Sequence, residues 1–399
     1  MLSTAGARAR TIVFRAFSIF AGVTIALVFA ELVLRVFLPT PSRYFAMTPN
    51  LQATFSAQLH AKGIQGPTVF KVNSMGFRSR EWSTNRASEY RIVCLGGSTT
   101  ESLLNDQDRI WTTLLEKRLG ELPDGRRAWV GNMGKAGLTS RHHVVQLKHL
   151  NLYDPDLIVV LVGSSDFMSR LKQGDKNPNL ADPPEDERTL EEQAFAALPD
   201  EFLWDQPATW YRSTRLWRRM SVLFGRSVLT GSQQQDQYGL SLDRWRAMRA
   251  NGKRSDKLPA LEASLDSYEH TLKQIVSLAQ NFGAPIVLMT QPSIWRADLT
   301  DHEKGQLWMG GVGDFRDEPG SLYYEPEALE RGIDAYNQRL LNVCRKTTAH
   351  CIDLAKAVPK STDYFYDDEH FTDRGQELVA GRVAEGVLPL LTDVRSELR

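Results

Sequence analysis

Apolar residues fall into three patterns along this chain. The first is one long run, Ala16–Leu34 (AFSIFAGVTIALVFAELVL), in which Glu31 is the only charge. At about 19 residues it is near the minimum for a helix across a bilayer, and it shows no amphipathic face of the kind a core helix carries. The second pattern is a set of short strand-like segments at 90–96, 128–132, Leu157–Val162 (LIVVLV), Pro285–Thr290 (PIVLMT) and His350–Leu354, of which Leu157–Val162 is an unbroken apolar run and the first holds the run Ile92, Val93, Cys94 and Leu95. Those two apolar runs have the length and branched content of a strand buried on both faces. The third is apolar residues at helical spacing between those runs, at 108–120, 139–150, 259–282, 325–346 and from near Thr372 onward. Strand–helix alternation of this kind predicts an α/β fold, a flavodoxin-like doubly wound parallel sheet of about five strands.

Two stretches break the alternation. Pro39–Pro67 is mixed and punctuated by proline, which predicts a linker of little regular structure over 39–69. Residues 168–257 form a long insertion after the third strand. Its first part (GDKNPNLADPPEDERTLEEQ) is acidic and Pro-rich, and reads as a mobile surface loop. Its second part, Trp204–Arg226, interleaves five aromatic residues with five arginines. That mixture fits a lid or a membrane-interface patch, but the favoured reading is a helix whose aromatics pack on the domain with arginines in solvent. The expected organisation is a short N-terminal segment 1–15, a transmembrane anchor 16–38, a linker 39–69 and a domain 70–399.

Charge sharpens this. Lys+Arg and Asp+Glu number 48 each, so no global basic field recruits nucleic acid. Arg8, Arg10 and Arg15 precede the apolar run, a flank that favours a cytoplasmic amino end and an extracytoplasmic domain, periplasmic in a Gram-negative source. No small-x-small cleavage site follows the run, so an uncleaved signal anchor is expected rather than a signal peptide. The three cysteines make no CxxC pair. Cys94 reads as core packing, whereas Cys344 and Cys351 fit either a bridge in an oxidising compartment or two separately buried thiols.

Candidate chemistry sits at the carboxyl ends of the predicted strands, where doubly wound sheets place their ligands. The first strand runs into Arg91–Thr100 (RIVCLGGSTT), with two glycines ahead of Ser98 on a turn into a helix. A phosphate-cradling loop would look similar, so the later strand ends decide. They bring Gly137, Ser165 and the pair Asp367-x-x-His370 to the same edge. A serine nucleophile needs a base to take its proton, and the base needs a group that fixes its tautomer. His370 and Asp367 supply both, and backbone N–H groups at Ser98 and Gly137 are placed to face an oxyanion.

These residues resemble the SGNH (GDSL-type) hydrolase family, whose four blocks supply Ser, Gly, Asn and His. GGSTT (Gly96–Thr100), NMGKAGLTS (Asn132–Ser140), GSSD (Gly163–Asp166) and DDEHFTDRG (Asp367–Gly375) fall in the family's order, and VNSMGFRSRE (Val72–Glu81) is similar to the lead-in of membrane-anchored bacterial members. The resemblance implies Ser98 as nucleophile, His370 as base, Asp367 as its partner, and Ser98, Gly137 and Ser165 around the oxyanion. Two positions depart from the pattern. Gly97 stands where Asp is commoner, and Ser165 stands where the family has Asn. A hydroxyl donates one hydrogen bond but is shorter than an amide, and losing such a donor costs about 100–1,000-fold in rate.

Other polar residues invite plainer readings. Asp368 competes with Asp367 as the histidine's partner, and His142 and His143 read as partly exposed helix residues. Gln291-Pro292-Ser293 ends the fourth strand as pocket lining or a simple turn, and Trp295–Gly320 either holds substrate or only connects. No metal or other cofactor is expected, since no second ligand cluster accompanies Asp367–His370. The resemblance and the anchor together imply a membrane-bound serine esterase acting on O-acyl, foremost O-acetyl, groups of a carbohydrate or envelope ester. The alternatives are an O-acyltransferase acting on exported polysaccharide and a weakly active or inactive binding module.

Overall fold

The structure is a computed structural model that describes residues 2–37, 44–176, 186–195, 216 and 237–392. The chain divides into two units, one of residues 1–43 with 197–228, the other of 44–196 with 229–399. In the first, helix α1 (Leu2–Phe37) contains the span Val13–Leu34, 22 residues long and apolar enough to cross a membrane. At 1.5 Å per residue it reaches about 33 Å, the thickness of a hydrocarbon core. The large apolar side chains from Val13 to Leu32 are exposed, and Glu31 accepts a hydrogen bond from the Leu216 N–H at 2.8 Å.

The second unit opens with two short antiparallel strands, β1 (Gln52–Phe55) and β2 (Thr68–Lys71). Residues 44–69 were expected to lack regular structure. They instead bury Met47, Leu51, Phe55 and Ile64, because alternating apolar residues in QATF and TVFK give the segment a face to pack. The main sheet comes next: β3 (Glu89–Gly96), β4 (Arg127–Asn132), β5 (Leu157–Leu161), β7 (Ile286–Met289) and β9 (His350–Ile352), all parallel, in the order β4-β3-β5-β7-β9. The expected flavodoxin-like sheet of five strands is what forms. Its central strands β3, β5 and β7 are buried along their whole length, which is why β5, β7 and the Ile92–Leu95 part of β3 read as apolar runs. β6 (Lys253–Ser255) and β8 (Leu322–Tyr324) make a separate parallel pair.

Helices between the strands form two packed groups. α3 (Trp111–Leu119) packs on the last helix, α12 (Asp373–Thr392). The second group holds α4 (Ser140–Lys148), α5 (Ser164–Gln173), α8 (Glu262–Asn281) and α10 (Pro326–Lys346). Two single turns, α9 (Asp301–Lys304) and α11 (Leu354–Ala357), lie in the connections. The strand order reverses between β3 and β5. The crevice at their carboxyl ends is therefore flanked by α2 (Ser98–Glu101), which continues from β3, and by the start of α5, which continues from β5. Cys344 at the end of α10 is disulfide-bonded to Cys351 in β9, while Cys94 is buried in β3 with its thiol pushed up by burial.

The insertion is partly regular. Its acidic stretch, expected to be a mobile loop, ends in α6 (Glu187–Ala194), capped by Asp186 accepting from the Thr189 N–H. Leu190 and Ala194 are buried, and Gln146 of α4 donates to the Ala194 carbonyl. A further helix, α7 (Gln237–Ala250), precedes β6. The aromatic–arginine stretch 204–226, read as a lid or a packed helix, lies outside the described residues apart from Leu216.

Candidate active site

The turn after β3 is built by close approach rather than by unusual torsions. Gly97 has φ −85°, open to any residue, but a Cβ at Gly96 would fall 2.1 Å from Thr100 Oγ1 and 2.8 Å from the Leu161 carbonyl. Glycine there lets α2 start directly against β5. Ser98 is the first residue of α2, so its N–H has no carbonyl within the helix and points outward from the N-terminus.

Two buried side chains hold that turn from behind. Arg78, from the VNSMGFRSRE lead-in, donates at 2.6 Å to the carbonyls of Glu101, Ser102 and Asn105 and stacks on Phe70. Burial pulls its guanidinium down to about 9. Asn132, at the end of β4, donates to the Thr100 carbonyl at 2.7 Å and accepts from the Gly134 N–H at 2.8 Å. The Gly137 loop is tied back in turn, since Glu101 accepts from the Ala136 N–H at 3.2 Å. Gly137 has φ +80° with open space where a Cβ would stand, a conformation glycine adopts freely and other residues do not.

Asp367 and His370 sit on a tight hairpin closed by the Phe365–Phe371 bridge and by the Tyr366 N–H donating to the His370 carbonyl at 3.0 Å. The D-x-x-H spacing has a local cause. Asp367 Oδ1 accepts from the backbone N–H groups of Glu369 (3.1 Å) and His370 (2.9 Å), capping the turn as an N-cap residue would. That turn brings His370 Nδ1 to 2.8 Å from Asp367 Oδ2, while Nε2 lies 2.8 Å from Ser98 Oγ. In the neutral imidazole, Nδ1–H donates to Asp367 and Nε2 accepts the Ser98 hydroxyl. Burial alone would lower the His370 pKa, but the charge of Asp367 and its hydrogen bond raise it to about 9. Asp367 moves the opposite way: burial raises it, and His370 together with the Trp308 indole N–H hold it below its ordinary value.

The neighbouring acids are used differently. Asp368 turns away from the histidine, accepting from Trp295 Nε1 (2.8 Å) and the N–H groups of Trp308 (2.8 Å) and Met309 (3.0 Å). Glu369 accepts from the Ser164 hydroxyl, and burial pushes its carboxyl up to about 7. Trp308 Nε1 donates to Asp367 Oδ2 at 2.9 Å, so the 295–320 loop supports the site rather than only connecting. Sequence reading left Trp308 unassigned because its loop has no periodicity and its partner is 59 residues away.

Ser165 faces the Gly96–Ser98 turn: its Oγ lies 3.2 Å from where a Cβ on Gly97 would stand. The two positions that depart from the family pattern are therefore neighbours. Gln291 is buried and accepts from the Thr99 hydroxyl at 3.2 Å, bracing the residue after Ser98. His142 and His143 are buried, not partly exposed. His142 joins Thr139 in a capping box, and His143 pairs with Gln146, its pKa pulled down to about 4 by burial. Among the described residues no group of three or more His, Cys, Asp or Glu side chains is arranged to hold a metal ion.

A doubly wound sheet that presents a serine, bonded through an imidazole to a buried carboxylate, at its strand-order reversal has the architecture of a serine hydrolase. Residues 94–378 match the family model of the GDSL-like lipase/acylhydrolase family, and the chain belongs to that family of ester hydrolases. Among solved structures, LAE5, an alpha/beta hydrolase enzyme from the metagenome of Lake Arreo, Spain, is 14% identical, with 75% of this chain and 96% of that chain covered at a TM-score of 0.38. A catalytic mutant of Axe2, an acetylxylan esterase from Geobacillus stearothermophilus, is 13% identical over 75% of this chain and 94% of its own, also at 0.38. TesA is 13% identical over 75% and 99%, at the same score. No curated protein matches the chain.

Proposed function

We propose that this protein is a serine esterase that removes O-acyl groups, acetyl foremost, from a carbohydrate or envelope ester. The observation that carries the reading is the continuous hydrogen-bonded line from Ser98 Oγ through His370 to Asp367. Ser98 Oγ attacks the ester carbonyl as His370 Nε2 takes its proton, and the carbonyl π electrons move onto oxygen. The oxyanion is met by the N–H groups of Ser98 and Gly137 and by the Ser165 hydroxyl. Collapse expels the alcohol, which receives the proton from His370, and leaves an acyl-Ser98. Water then repeats the sequence in reverse and frees the acid. Asp367 stays ionised, orienting His370 and balancing the imidazolium.

Residues 16–38 serve in this reading as an uncleaved anchor with the amino end in the cytoplasm and the catalytic unit outside. The Arg8, Arg10 and Arg15 flank supports that orientation, and the Cys344–Cys351 disulfide supports an oxidising compartment. The test uses the full chain in detergent, treated with a fluorophosphonate probe and a small aryl acetate beside Ser98→Ala. Labelling and turnover that vanish in Ser98→Ala are expected. A folded chain that takes no label overturns the reading in favour of a binding module. Labelling with negligible hydrolysis, relieved by an added sugar acceptor, makes it an acyltransferase.

A further inference from the structure

Helix α7 belongs to the insertion, yet it reaches the hairpin that carries Asp367 and His370. Its Arg246, whose side chain is 12% exposed, donates to three backbone carbonyls: His60 at 2.7 Å, Gln306 at 3.2 Å and Tyr366 at 3.0 Å. They belong to three separate segments: the stretch ahead of β2, the loop leading to Trp308, and the catalytic hairpin itself. Tyr366 directly precedes Asp367, and its N–H is the one that closes the hairpin on the His370 carbonyl. One planar guanidinium thus fixes the backbone on which both acid and base are mounted. A rigid fork making several charge-assisted bonds sets relative position better than separate neutral contacts do.

The stretch ahead of β2 is locked to both sides of this joint. His60 Nδ1 lies 2.6 Å from Asp243 Oδ2 of α7, and a Cβ on Gly239 would collide with the His60 ring at 1.9 Å. Beyond the hairpin, the Asp373 N–H donates to the Gly63 carbonyl at 3.1 Å, and Asp373 Oδ2 accepts from the Gln65 N–H at 3.0 Å. Residues 57–65 and α7 therefore grip the hairpin before Asp367 and after His370. The stretch 57–65 lies ahead of the 94–378 region that matches the family.

We propose that Arg246 is a positioning residue for the Asp367–His370 pair, and that α7 with residues 57–65 forms a fixed brace for the catalytic hairpin. The proposal rests on the triad reading above. Arg246 is bonded to backbone behind the hairpin, so its loss should disturb the reacting geometry and leave substrate binding alone.

The test compares the full chain with Arg246→Ala and Arg246→Lys in detergent. Three quantities are read: amide hydrogen exchange over 366–370, the rate of fluorophosphonate labelling at Ser98, and kcat and KM for an aryl acetate. In Arg246→Ala, exchange should quicken about tenfold, and labelling and kcat should fall about ten- to a hundredfold with KM within about twofold. Lysine, reaching one carbonyl at a time, should fall between. A loss of labelling in Arg246→Ala smaller than about threefold overturns the proposal. If Arg246→Ala does not fold, the same threshold applied to Arg246→Lys decides. An unaltered chain that takes no label refutes the esterase reading instead. Exchange over 366–370 then decides the brace: faster in the variant supports it, unchanged refutes it.

Discussion

Replacing Asp367 by asparagine removes the charge facing His370 while keeping the side chain's shape. Burial by itself disfavours the imidazolium, and Asp367 more than reverses that, holding His370 at about 9 against an ordinary 6.5. At 1.36 kcal/mol per pH unit the difference is a net preference of about 3 kcal/mol for the protonated ring. In Asp367→Asn the burial remains and its main compensation is gone, so His370 should titrate near or below its ordinary value. Activation of Ser98 requires the neutral ring. The acid limb of fluorophosphonate labelling should therefore lie near pH 9 in the unaltered protein and move about two units lower in the variant. The plateau should fall by about three to four orders of magnitude, because an amide at 367 no longer selects the tautomer with Nε2 free nor balances the imidazolium. Stability follows the same sign. A raised histidine pKa contributes stability that is full below about 6.5 and lost as pH rises through about 9, so denaturant midpoints should decline across that window and stay flatter in Asp367→Asn. An acid limb that does not move, or a plateau within about tenfold, would refute the pairing.

Three further outcomes are expected. Ser165→Asn should raise aryl-acetate turnover at least about tenfold by restoring an amide donor beside the Ser98 turn, and equal or slower turnover contradicts the proposed oxyanion role. Arg78→Ala strands three buried carbonyls behind the Ser98 turn and should cost about 3–5 kcal/mol in urea unfolding; a loss under about 1 kcal/mol would show that the clamp is dispensable. Cys344→Ser should lower stability by about 2–3 kcal/mol, with Ser98 labelling unchanged below the unfolding transition, because the bridge joins α10 to β9 away from the site.

Contact between Gly97 and Ser165 gives the two departures from the family pattern a common location. A side chain at 97 would press on Ser165 Oγ, so glycine at 97 lets Ser165 stand close to the Ser98 turn.

Much of this was legible along the chain because it depends on neighbours in sequence. Strands buried on both faces carry apolar runs, so β5, β7 and the Ile92–Leu95 part of β3 announced themselves. The Asp367–His370 pair is made within one turn, where a carboxylate caps the N–H groups two and three residues on, so the D-x-x-H spacing together with the family resemblance pointed to it, with Asp368 left as a competitor. The apolar run of α1 is a matter of length and composition. What the linear pattern left open is held by contacts between distant residues. Trp308 on Asp367, Arg78 behind Ser98, Asp368 turned toward the Trp308 loop and Arg246 on Tyr366 are each a polar side chain meeting a backbone or carboxylate brought near only by the fold. A hydrogen bond to a carbonyl makes no demand on the identity of the residue that owns it, so nothing at His60, Gln306 or Tyr366 foretold the partner. Periodicity, local turns and the family pattern determined the sheet and the candidate catalytic groups; tertiary packing decided what keeps those groups in register.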